Sequence, residues 1–403
     1  MEDKKKLICV LTNSNFESGK VGFVHTENKS LVKAGFRVKS ITYHRPGTPK
    51  EEVVDGVLIK TFKYLPDRFA IKLSIQQEIN KSKFGIIKAL FMVTCFFIYT
   101  FFESIKEKPD LFLAHWAFPT GYIAYKMSRI FNKKCVIEIH GSEVTQTKNS
   151  KFLQKLLIPA MNNSTRVIAN SDYTKNEFVK LGVKEEKFVK IGNPPNYVKH
   201  TTDSELLKTF RKKFADDSTK ILLFVGNLIE LKGAEFAIRS LSYIKVHKVH
   251  LIIAGAGMLE SKLRELTKSL GLEDKITFFG LASYEDMGRL HDISDVFVCP
   301  PIVDSKGFTE NLCKTIPEAM ESGLPVVATN VGGLSEVVQN EKTGLLVEQK
   351  DSQAIAKAVE RILSDGTLKE KIVSNSKKIV DQFSLESLQK KYIETISNII
   401  KNE

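Results

Sequence analysis

Residues 220–255 read KILLFVGNLIELKGAEFAIRSLSYIKVHKVHLIIAG. Two short apolar runs, KILLFVG and HLIIAG, flank a segment that is long enough to form a helix. A strand, a helix and a second strand in this order make a βαβ unit, whose strands are parallel because the helix crosses back over the sheet. The stretch therefore predicts a parallel sheet covered by helices.

Similar runs alternate with helix-length segments along the whole chain of 403 residues. The first half contains KLICVLT, RVKSIT, GVLIKTF, DLFLAH, KCVIEIH and RVIAN, and the second half adds KITFFG, DVFVCP, PVVAT and TGLLV. A chain of this length suits two domains of about 200 residues each. We expect an α/β fold with two doubly wound, Rossmann-like parallel sheets. If the two sheets face each other, they enclose a cleft, and ligands bind at the carboxyl ends of the strands.

The domain boundary is predicted at residues 191–202, IGNPPNYVKHTT, where two prolines follow a glycine and an asparagine. We place the N-terminal domain at residues 1–195 and the C-terminal domain at residues 196–383. The last segment, FSLESLQKKYIETISNIIKN, has Ser384 at a candidate N-cap position, Glu386 in the first turn, and apolar residues at helical intervals. It predicts a terminal helix over residues 384–403.

The composition argues against several classes of protein. With 42% hydrophobic and 27% charged residues, the chain reads as soluble and globular. The apolar stretch near the start spans only five residues, too few for a signal peptide, so we expect a cytoplasmic protein. Five scattered cysteines without a C-x-x-C pair indicate reduced thiols rather than a metal site. No two aspartates are separated by a single residue, so we expect neither a D-x-D metal clamp nor a metal cofactor.

The net charge of +13 is confined to the N-terminal half. Residues 1–200 hold 33 Lys and Arg against 18 Asp and Glu, whereas residues 201–403 hold 27 against 29. The excess positive charge of the N-terminal half favours an anionic partner, for example lipid headgroups, a lipid phosphate or an acidic glycan. A solvated lysine-rich surface explains the excess equally well. We expect no nucleic-acid partner, because no recognised binding motif accompanies the charge.

One segment raises the question of a membrane. Residues 89–102 read ALFMVTCFFIYTFF and are almost wholly apolar. Fourteen residues fall short of the ~20 that a helix needs to cross a bilayer, so the sequence argues against a transmembrane span. We interpret the segment as a helix buried beneath the sheet, with partial insertion into a membrane surface as a second hypothesis.

Three positions at strand ends are candidates for ligand binding. Gly22, with Gly19, precedes a helical pattern after the first strand, where a small residue lets a phosphate approach, although a plain turn explains it better. His140 follows the strand VIEI directly and is followed by Gly-Ser; structural and functional interpretations are evenly balanced there. Lys232 stands at a helix N-terminus, where its charge opposes the macrodipole unless an anion lies between them.

Two glutamates, Glu310 and Glu318, lie eight positions apart in TENLCKTIPEAMESG. Read locally, TIPE predicts a capping box. Thr315 would be the N-cap, and the Glu318 side chain would accept a hydrogen bond from the backbone N–H of Thr315. That interpretation puts Glu310 in the preceding loop, so the pair would not share one helix. From the residues alone, the pair could be a glycosidase dyad, a clamp on ligand hydroxyls, or a cap without chemistry.

The order of several motifs resembles that of the retaining glycosyltransferases of family 4, which have the GT-B fold. The motifs are SGKVGFV, AHWAFPTGY, EIHGSEV, FVGNLIELKG, IAGAGMLESKLRELTKSLGLEDKITFFG and TENLCKTIPEAMESGLPVVATNVGGLSEVV. The resemblance covers nearly the whole chain and includes a terminal helix that, in that family, crosses back onto the N-terminal domain. Its most specific part is the E-x7-E element formed by Glu310 and Glu318.

The resemblance implies that the C-terminal domain binds a nucleotide-diphosphate sugar and that the basic N-terminal domain receives the acceptor. Glu318 would hold the ribose, Glu310 the donor sugar, and Lys232 the diphosphate, while His140 would lie near the reacting carbon. Further donor contacts are implied at Gly22, at the turn Gly280–Leu281, and at the backbone N–H groups of Asn311, Leu312 and Cys313.

Two positions depart from the family pattern. Asn227 stands where an arginine commonly follows the glycine of the Lys232 motif, and Asn311 replaces a glycine after the first glutamate. One cation at the diphosphate is therefore missing, and Lys306 is a candidate to compensate for it. A non-catalytic GT-B partner subunit and a glycosidase remain alternative hypotheses.

The resemblance and the charge together give the expected substrates. We expect a UDP-sugar as the favoured donor and GDP-mannose as the second choice. The expected acceptor is a glycan or a lipid-linked sugar in cell-surface polysaccharide synthesis, with the protein peripheral to an anionic membrane surface.

Overall fold

The computed structural model describes residues 5–13, 22–71, 78, 83–192, 200–201 and 203–401. Contacts between Cα atoms divide the chain into two compact units. Unit 1 comprises Met1–Ile191 and Leu388–Glu403, and unit 2 comprises Gly192–Ser387. Most of the predicted linker, residues 193–199, lies outside the described residues, as does Gly19. The predicted domain limits stay predictions.

The sheet of unit 1 has eight strands among the described residues. They are β1 Leu7–Leu11, β2 Arg37–Tyr43, β3 Glu51–Val54, β4 Val57–Phe62, β5 Leu111–His115, β6 Lys134–Ile139, β7 Arg166–Ala169 and β8 Phe188–Lys190. Their spatial order is β3-β4-β2-β1-β5-β6-β7-β8, and all neighbours are parallel except β3 and β4. Every residue of β1 and β5 is buried, as expected for central parallel strands covered on both faces.

Helices cover this sheet. They are α1 Phe23–Lys33, α2 Lys83–Lys106, α3 Tyr122–Phe131, α4 Ser142–Lys148, α5 Lys151–Asn163 and α6 Asp172–Lys180. The strand order changes direction between β1 and β5, so the loops after these two strands diverge and leave a crevice at their carboxyl ends. His115, the last residue of β5, lies at this crevice.

The sheet of unit 2 contains six described strands, all parallel. They are β9 Lys220–Val225, β10 Val249–Ala254, β11 Ile276–Gly280, β12 Val296–Cys299, β13 Val326–Thr329 and β14 Leu345–Val347. Their order, β11-β10-β9-β12-β13-β14, is the doubly wound order of a Rossmann fold, with its switch point between β9 and β12. The prediction of two Rossmann-like parallel sheets is confirmed.

The helices of unit 2 are α7 Ser204–Arg211, α8 Ala234–Ser240, α9 Glu260–Ser269, α10 Tyr284–Ile293, α11 Thr315–Glu321, α12 Ser352–Ser364 and α13 Gly366–Val380. The terminal helix α14, Leu385–Lys401, is capped by Ser384, whose Oγ accepts from the Ser387 backbone N–H at 3.2 Å. Its buried side chains recur every four residues and pack on the sheet of unit 1; they are Leu388, Tyr392, Ile396 and Ile400. A helix that follows unit 2 in sequence therefore completes the core of unit 1.

Helix α2 corrects the prediction for residues 89–102. It runs for 24 residues, Lys83–Lys106, because the flanking charged residues continue the helix instead of ending it. The expectation of a helix buried beneath the sheet is wrong, since only 28% of its most apolar window is buried. Within the described part of the chain it is the one helix long and apolar enough to cross a bilayer. By itself this is weak evidence for a span.

Candidate functional site

The end of β9 and the loops beside it build a candidate site in unit 2. Gly226 and Asn227 follow β9 directly, and a short turn, Glu230–Lys232, leads into α8. Gly233, at φ +66°, joins this turn to α8. A Cβ at Gly233 would lie 1.9 Å from the Pro300 carbonyl oxygen. A side chain at Gly233 would therefore push the Lys232 turn away from the end of β12.

Lys232 and Glu310 are brought together at this switch point. The Lys232 ammonium donates a hydrogen bond to the Glu310 carboxylate, and both side chains are largely buried, at 23% and 13% exposure. Burial alone lowers the pKa of Lys232, but the nearby Cys313 and Glu310 groups outweigh burial and raise the pKa above its ordinary value. Lys232 is therefore a permanently charged cation held in a partly dry site.

Two thiols lie close enough to this ion pair to influence the pKa of Lys232. Cys299, at the end of β12, and Cys313 have their Sγ atoms 3.4 Å apart, and both are buried free cysteines. The hydrogen bond from Cys299 lowers the pKa of Cys313, whereas the same contact, together with burial, raises the pKa of Cys299. These thiols are among the groups that act on the pKa of Lys232.

Glycines after β13 hold the backbone of the Glu310 loop in place. A Cβ on Gly332, which has φ +56°, would lie 1.6 Å from the carbonyl oxygen of Glu310. A Cβ on Gly333 would lie 2.0 Å from that of Asn311. The Gly332–Gly333 backbone therefore packs directly on the chain that carries Glu310, and no other residue type fits there without displacing it.

Glu318 lies in α11, and Glu310 lies in the loop before it, as predicted. The Glu318 side chain is 2% exposed. The predicted capping box is wrong in its details: α11 begins at Thr315, so Thr315 is not the N-cap, and its Oγ1 lies 3.1 Å from the Cys313 Sγ. Lys314, the residue before the helix, already has helical backbone angles, which moves the helix start toward the Glu310 loop.

The other predicted donor residues of unit 2 vary in burial. Leu312 and Cys313 are buried, whereas Asn227 is exposed and Leu281 is 80% exposed. The Gly255 N–H donates to the Gly280 carbonyl oxygen at 2.8 Å, and a Cβ on Gly255 would lie 2.0 Å from the Gly226 carbonyl oxygen. The turn at Gly280–Leu281 is thereby tied to the same sheet edge as Gly226. Lys306 lies in an exposed turn.

A second candidate site lies in unit 1, around His140. His140 follows the last residue of β6, and its backbone N–H lies 3.2 Å from the Glu143 Oε1 at the start of α4. Phe23, the first residue of α1 after the N-cap Gly22, packs its ring edge-on against the His140 imidazole at 4.9 Å. Trp116 lies at the same distance on another side. Gly22 and His140, which were predicted separately, thus lie close together in the structure.

Sequence reasoning did not single out His115 and Glu138, which lie beside His140. The His115 imidazole is parallel to that of His140 with ring centroids 5.6 Å apart, and its Nδ1 lies 3.5 Å from the Glu138 Oε2. Glu27 of α1 lies 3.8 Å from the same Nδ1. The signal in the sequence was the position of His115 at the end of its strand, next to the switch point. Glu138, inside a strand, gave no such signal.

Burial governs protonation in this cluster. Complete burial lowers the pKa of His115 to about 3, so its imidazole is neutral at physiological pH. Burial also raises the pKa of Glu138 to about 8, although the nearby hydroxyl of Tyr392 in α14 opposes that shift. A neutral carboxyl group beside two imidazoles can donate its proton to one of them. The terminal helix therefore contributes directly to the surroundings of His140.

The same cluster is the part of the described chain that could hold a metal ion. One ligand atom each from His115, Glu138 and His140 lie within 4.8 Å of one another. Histidine and carboxylate together suit a transition metal such as zinc. The expectation that the reaction needs no metal cofactor stays a prediction.

Comparison with known proteins identifies the family. A model described as "Glycosyltransferase Family 4" matches residues 21–196, and one described as "Glycosyl transferases group 1" matches residues 207–379. The chain is 29% identical over 379 residues to an uncharacterised glycosyltransferase, MJ1607, of Methanocaldococcus jannaschii, covering 91% of this chain and 90% of the relative.

Two further proteins are similar to this chain. A GDP-mannose-dependent α-(1-6)-phosphatidylinositol monomannoside mannosyltransferase of Mycobacterium tuberculosis is 32% identical over 158 residues, 38% of this chain and 41% of the relative. The structure of Anabaena Alr3699/HepE in complex with UDP has a TM-score of 0.75 at 19% identity, over 97% of this chain and 99% of the other. The chain is a glycosyltransferase of the family 4 type with the GT-B fold.

Proposed function

We propose that the protein is a retaining, metal-independent glycosyltransferase that takes its sugar from a nucleotide-diphosphate donor. The observation that carries the proposal is the Lys232–Glu310 ion pair at the switch point of the second sheet. In open α/β sheets this crevice is where phosphorylated ligands bind. A cation and a hydroxyl-binding carboxylate side by side suit the junction between a diphosphate and a sugar.

Lys232 has the properties that a diphosphate ligand requires. Its raised pKa keeps the ammonium charged, and an ammonium has three N–H donors, of which Glu310 takes one. The remaining donors can bind phosphate oxygens, and the partly dry surroundings strengthen that contact. A lysine can therefore supply the charge that a D-x-D metal clamp supplies in other enzymes, and this sequence contains no D-x-D pair.

The carboxylates anchor the two ends of the donor. Glu310 accepts from hydroxyls of the sugar, and Glu318 accepts from the ribose hydroxyls. Backbone N–H groups from Asn311 to Cys313 and the Gly22 loop complete the diphosphate contacts, and Gly280–Leu281 faces the base. Fixing both ends of the donor holds its anomeric carbon in place, which is a positional contribution to the rate.

In the proposed reaction the bond between the anomeric carbon and the diphosphate oxygen breaks, and the acceptor oxygen bonds to the same face of the carbon. The departing diphosphate oxygen takes the proton of the acceptor hydroxyl, so no enzymic nucleophile is needed. Lys232 stabilises the charge that develops on the diphosphate. His140, held by its aromatic neighbours, contacts the sugar near the reacting carbon.

The choice of donor and acceptor rests on relatives. UDP is bound by the Anabaena protein of the same fold, and the mycobacterial relative is named for GDP-mannose and a phosphatidylinositol glycan. We propose a UDP-sugar as the first donor and GDP-mannose as the second. The proposed acceptor is a glycan or a lipid-linked sugar, met by the basic N-terminal half in cell-surface polysaccharide synthesis at the cytoplasmic side of the membrane.

A panel of UDP-, GDP- and ADP-sugars with detection of the released nucleoside diphosphate tests the proposal. We expect release from one donor class above the level without enzyme, increased by a suitable acceptor, and unaffected by a chelator. A non-catalytic partner subunit would release none from any donor. A glycosidase would instead hydrolyse simple glycosides that contain no nucleotide.

A further inference from the structure

Helix α2 has apolar side chains on two opposite faces. One face packs on the protein, with buried residues every three or four positions, including Ala89, Met92, Phe96 and Thr100. The opposite face, here called the outer face of α2, presents large apolar side chains that are about half exposed. They are Phe84, Ile87, Leu90, Phe91, Ile98, Phe102 and Ile105. An apolar strip along a helix of this length, about 36 Å, is uncommon on a free surface.

The inner face fixes α2 flat against unit 1. Its carboxylate Glu103 is buried and lies 3.4 Å from the Lys39 ammonium of β2, 3.0 Å from that of Lys60 of β4, and 3.0 Å from that of Lys106. Leaving the domain would separate Glu103 from the largely buried ammonium groups of Lys39 and Lys60, which is strongly unfavourable. The helix therefore cannot turn to span a bilayer while unit 1 stays folded, but its outer face can enter the surface of one.

Charge at the C-terminal end of α2 favours an anionic partner. Lys106 lies in its last turn with a side chain that is 68% exposed, and the exposed Lys108 follows the helix. Near the start of the helix, the Lys88 side chain is 15% exposed, and its ammonium pairs with the Glu78 carboxylate at 3.0 Å. The helix contains one carboxylate, Glu103, and that group faces inward. The outer face is thus an apolar strip with exposed lysines at its C-terminal end.

A groove of about 240 Å³ opens beside the outer face. Phe62, Ile98 and Phe102 contribute apolar walls, and the charged residues that line it are Lys63, Lys106 and Glu103. An apolar groove whose lining carries a net positive charge matches a lipid, which has an apolar chain next to an anionic headgroup.

We propose that the outer face of α2 lies in the plane of an anionic phospholipid surface, with its apolar side chains among the acyl chains and with Lys106 and Lys108 at the headgroups. An interfacial helix of this kind enters to a depth of about 5 to 10 Å and combines apolar burial with attraction to anionic lipid. The surface would hold unit 1 at the membrane whichever sugar donor unit 2 binds.

A second copy of the chain fits the outer face less well. A two-fold contact that packs two α2 helices side by side offers the exposed lysines at the end of each helix no carboxylate, because the single carboxylate of α2, Glu103, faces inward. A parallel contact would align Lys106 and Lys108 with their copies. Lipid headgroups neutralise these lysines, whereas a second α2 does not.

Flotation with lipid vesicles tests the proposal on the full-length protein. We expect the protein to float with vesicles of phosphatidylcholine and phosphatidylglycerol at low salt, and to float less with phosphatidylcholine alone or at high salt. The triple variant Leu90→Gln/Phe91→Gln/Ile98→Gln should lower the partition coefficient about a hundredfold. The double variant Val246→Gln/Met258→Gln, at exposed apolar residues of unit 2, should bind as the wild type does.

Further measurements separate the outcomes. Lys108→Gln changes one exposed side chain with little risk to folding and should weaken binding to anionic vesicles about fivefold. Unchanged circular dichroism and unchanged donor turnover without vesicles would show that the triple variant is folded. Wild-type protein that stays unbound at low salt would overturn the proposal, as would a folded triple variant that floats normally. A wild-type dimer that the triple variant converts to monomer would assign the face to a second copy instead.

Discussion

The Lys232 ammonium and the Glu310 carboxylate form an ion pair between two loops that meet at the switch point of the second sheet. Lys232 comes from the turn after β9, and Glu310 comes from the loop between β12 and α11. The pair therefore ties together the two loops that diverge at the crevice. A ligand that binds Lys232 is also placed beside Glu310.

Replacing Lys232 should remove the electrostatic contribution to the reaction. Lys232→Met keeps most of the length of the side chain but leaves the departing diphosphate without its cation, so kcat/KM for the donor should fall about 100- to 1,000-fold. Release of nucleoside diphosphate measures the effect. The matched control is Lys262→Met, at an exposed lysine of α9, which should retain full activity. Equal losses in the two variants would contradict a special role for Lys232.

The ion pair should also contribute to the free energy of unfolding. We expect a coupling free energy of about 1 to 3 kcal/mol between Lys232→Met and Glu310→Gln, because each single change leaves a largely buried charge without this partner. Chemical denaturation of the wild type, both single variants and the double variant gives this quantity. Additive effects would show that the contact contributes nothing to folding.

Substitutions of Glu310 and of Glu318 should have different effects on turnover and on nucleotide binding. Glu310→Gln should mainly lower kcat, because the sugar loses an anchor near the reacting carbon, and should leave the affinity for the free nucleoside diphosphate close to that of the wild type. Steady-state kinetics and nucleotide titration check the two halves of this prediction. A Glu310→Gln variant that binds the nucleotide far more weakly but keeps its kcat would exchange the roles assigned to the two glutamates.

Gly332 supports the loop of Glu310 through its backbone. Gly332→Ala places a methyl group 1.6 Å from the Glu310 carbonyl oxygen at a positive φ, so the loop must shift. We expect a loss of about 1 to 3 kcal/mol in the free energy of unfolding and reduced donor turnover. Gly366→Ala is the control, since nothing lies within 4 Å of its added carbon. Thermal melts should therefore show a lower Tm for the first variant and a nearly unchanged Tm for the second.

The buried carboxyl of Glu138 predicts a pH dependence of stability. Its pKa is raised from 4.5 to about 8 on folding, so its protonated form favours the folded state, and that stability is lost as pH rises from about 4.5 through 8. Glu138→Gln removes the ionisation. The variant should therefore become more stable relative to the wild type as pH rises through this window.

The buried imidazole of His115 predicts the opposite pH dependence of stability. Its pKa is lowered from 6.5 to about 3, so the stability that its neutral form contributes is lost as pH falls from about 6.5 through 3. Denaturation of wild type and Glu138→Gln across the pH range distinguishes the effects of Glu138 and His115. The loss of stability at low pH, which is due to His115, should persist in the variant. A stability difference between the two proteins that does not change with pH would contradict the raised pKa of Glu138.

The strands were largely predictable because both sheets are parallel and buried. All 12 apolar runs identified in the sequence overlap an observed strand. The two missed strands, β3 and β8, lie at the edges of the first sheet and are partly exposed, so they carry no apolar run. Helix α2 was predicted too short because its lysines resemble flanks in the sequence, whereas helical lysines can extend their ammonium groups to solvent or to Glu103.

The candidate site was predictable only in part. Lys232 and His140 were identified because each stands at a strand or helix end, and their positions followed from the alternation of elements. The contact between Glu138 and Tyr392 joins a central strand to the terminal helix, and no local pattern predicts such a tertiary contact. The supporting role of Gly332 depends in the same way on the approach of two distant loops.

Calorimetric titration of nucleotide-sugars into the wild type and Glu318→Gln tests most directly whether unit 2 binds a nucleotide donor. The account predicts saturable binding at one site per chain, tightest for a UDP-sugar, and affinity lowered about 10- to 100-fold in the variant, because a charge-assisted hydrogen bond to the ribose is lost. No saturable binding of any UDP-, GDP- or ADP-sugar, or equal affinities in the two proteins, would contradict it.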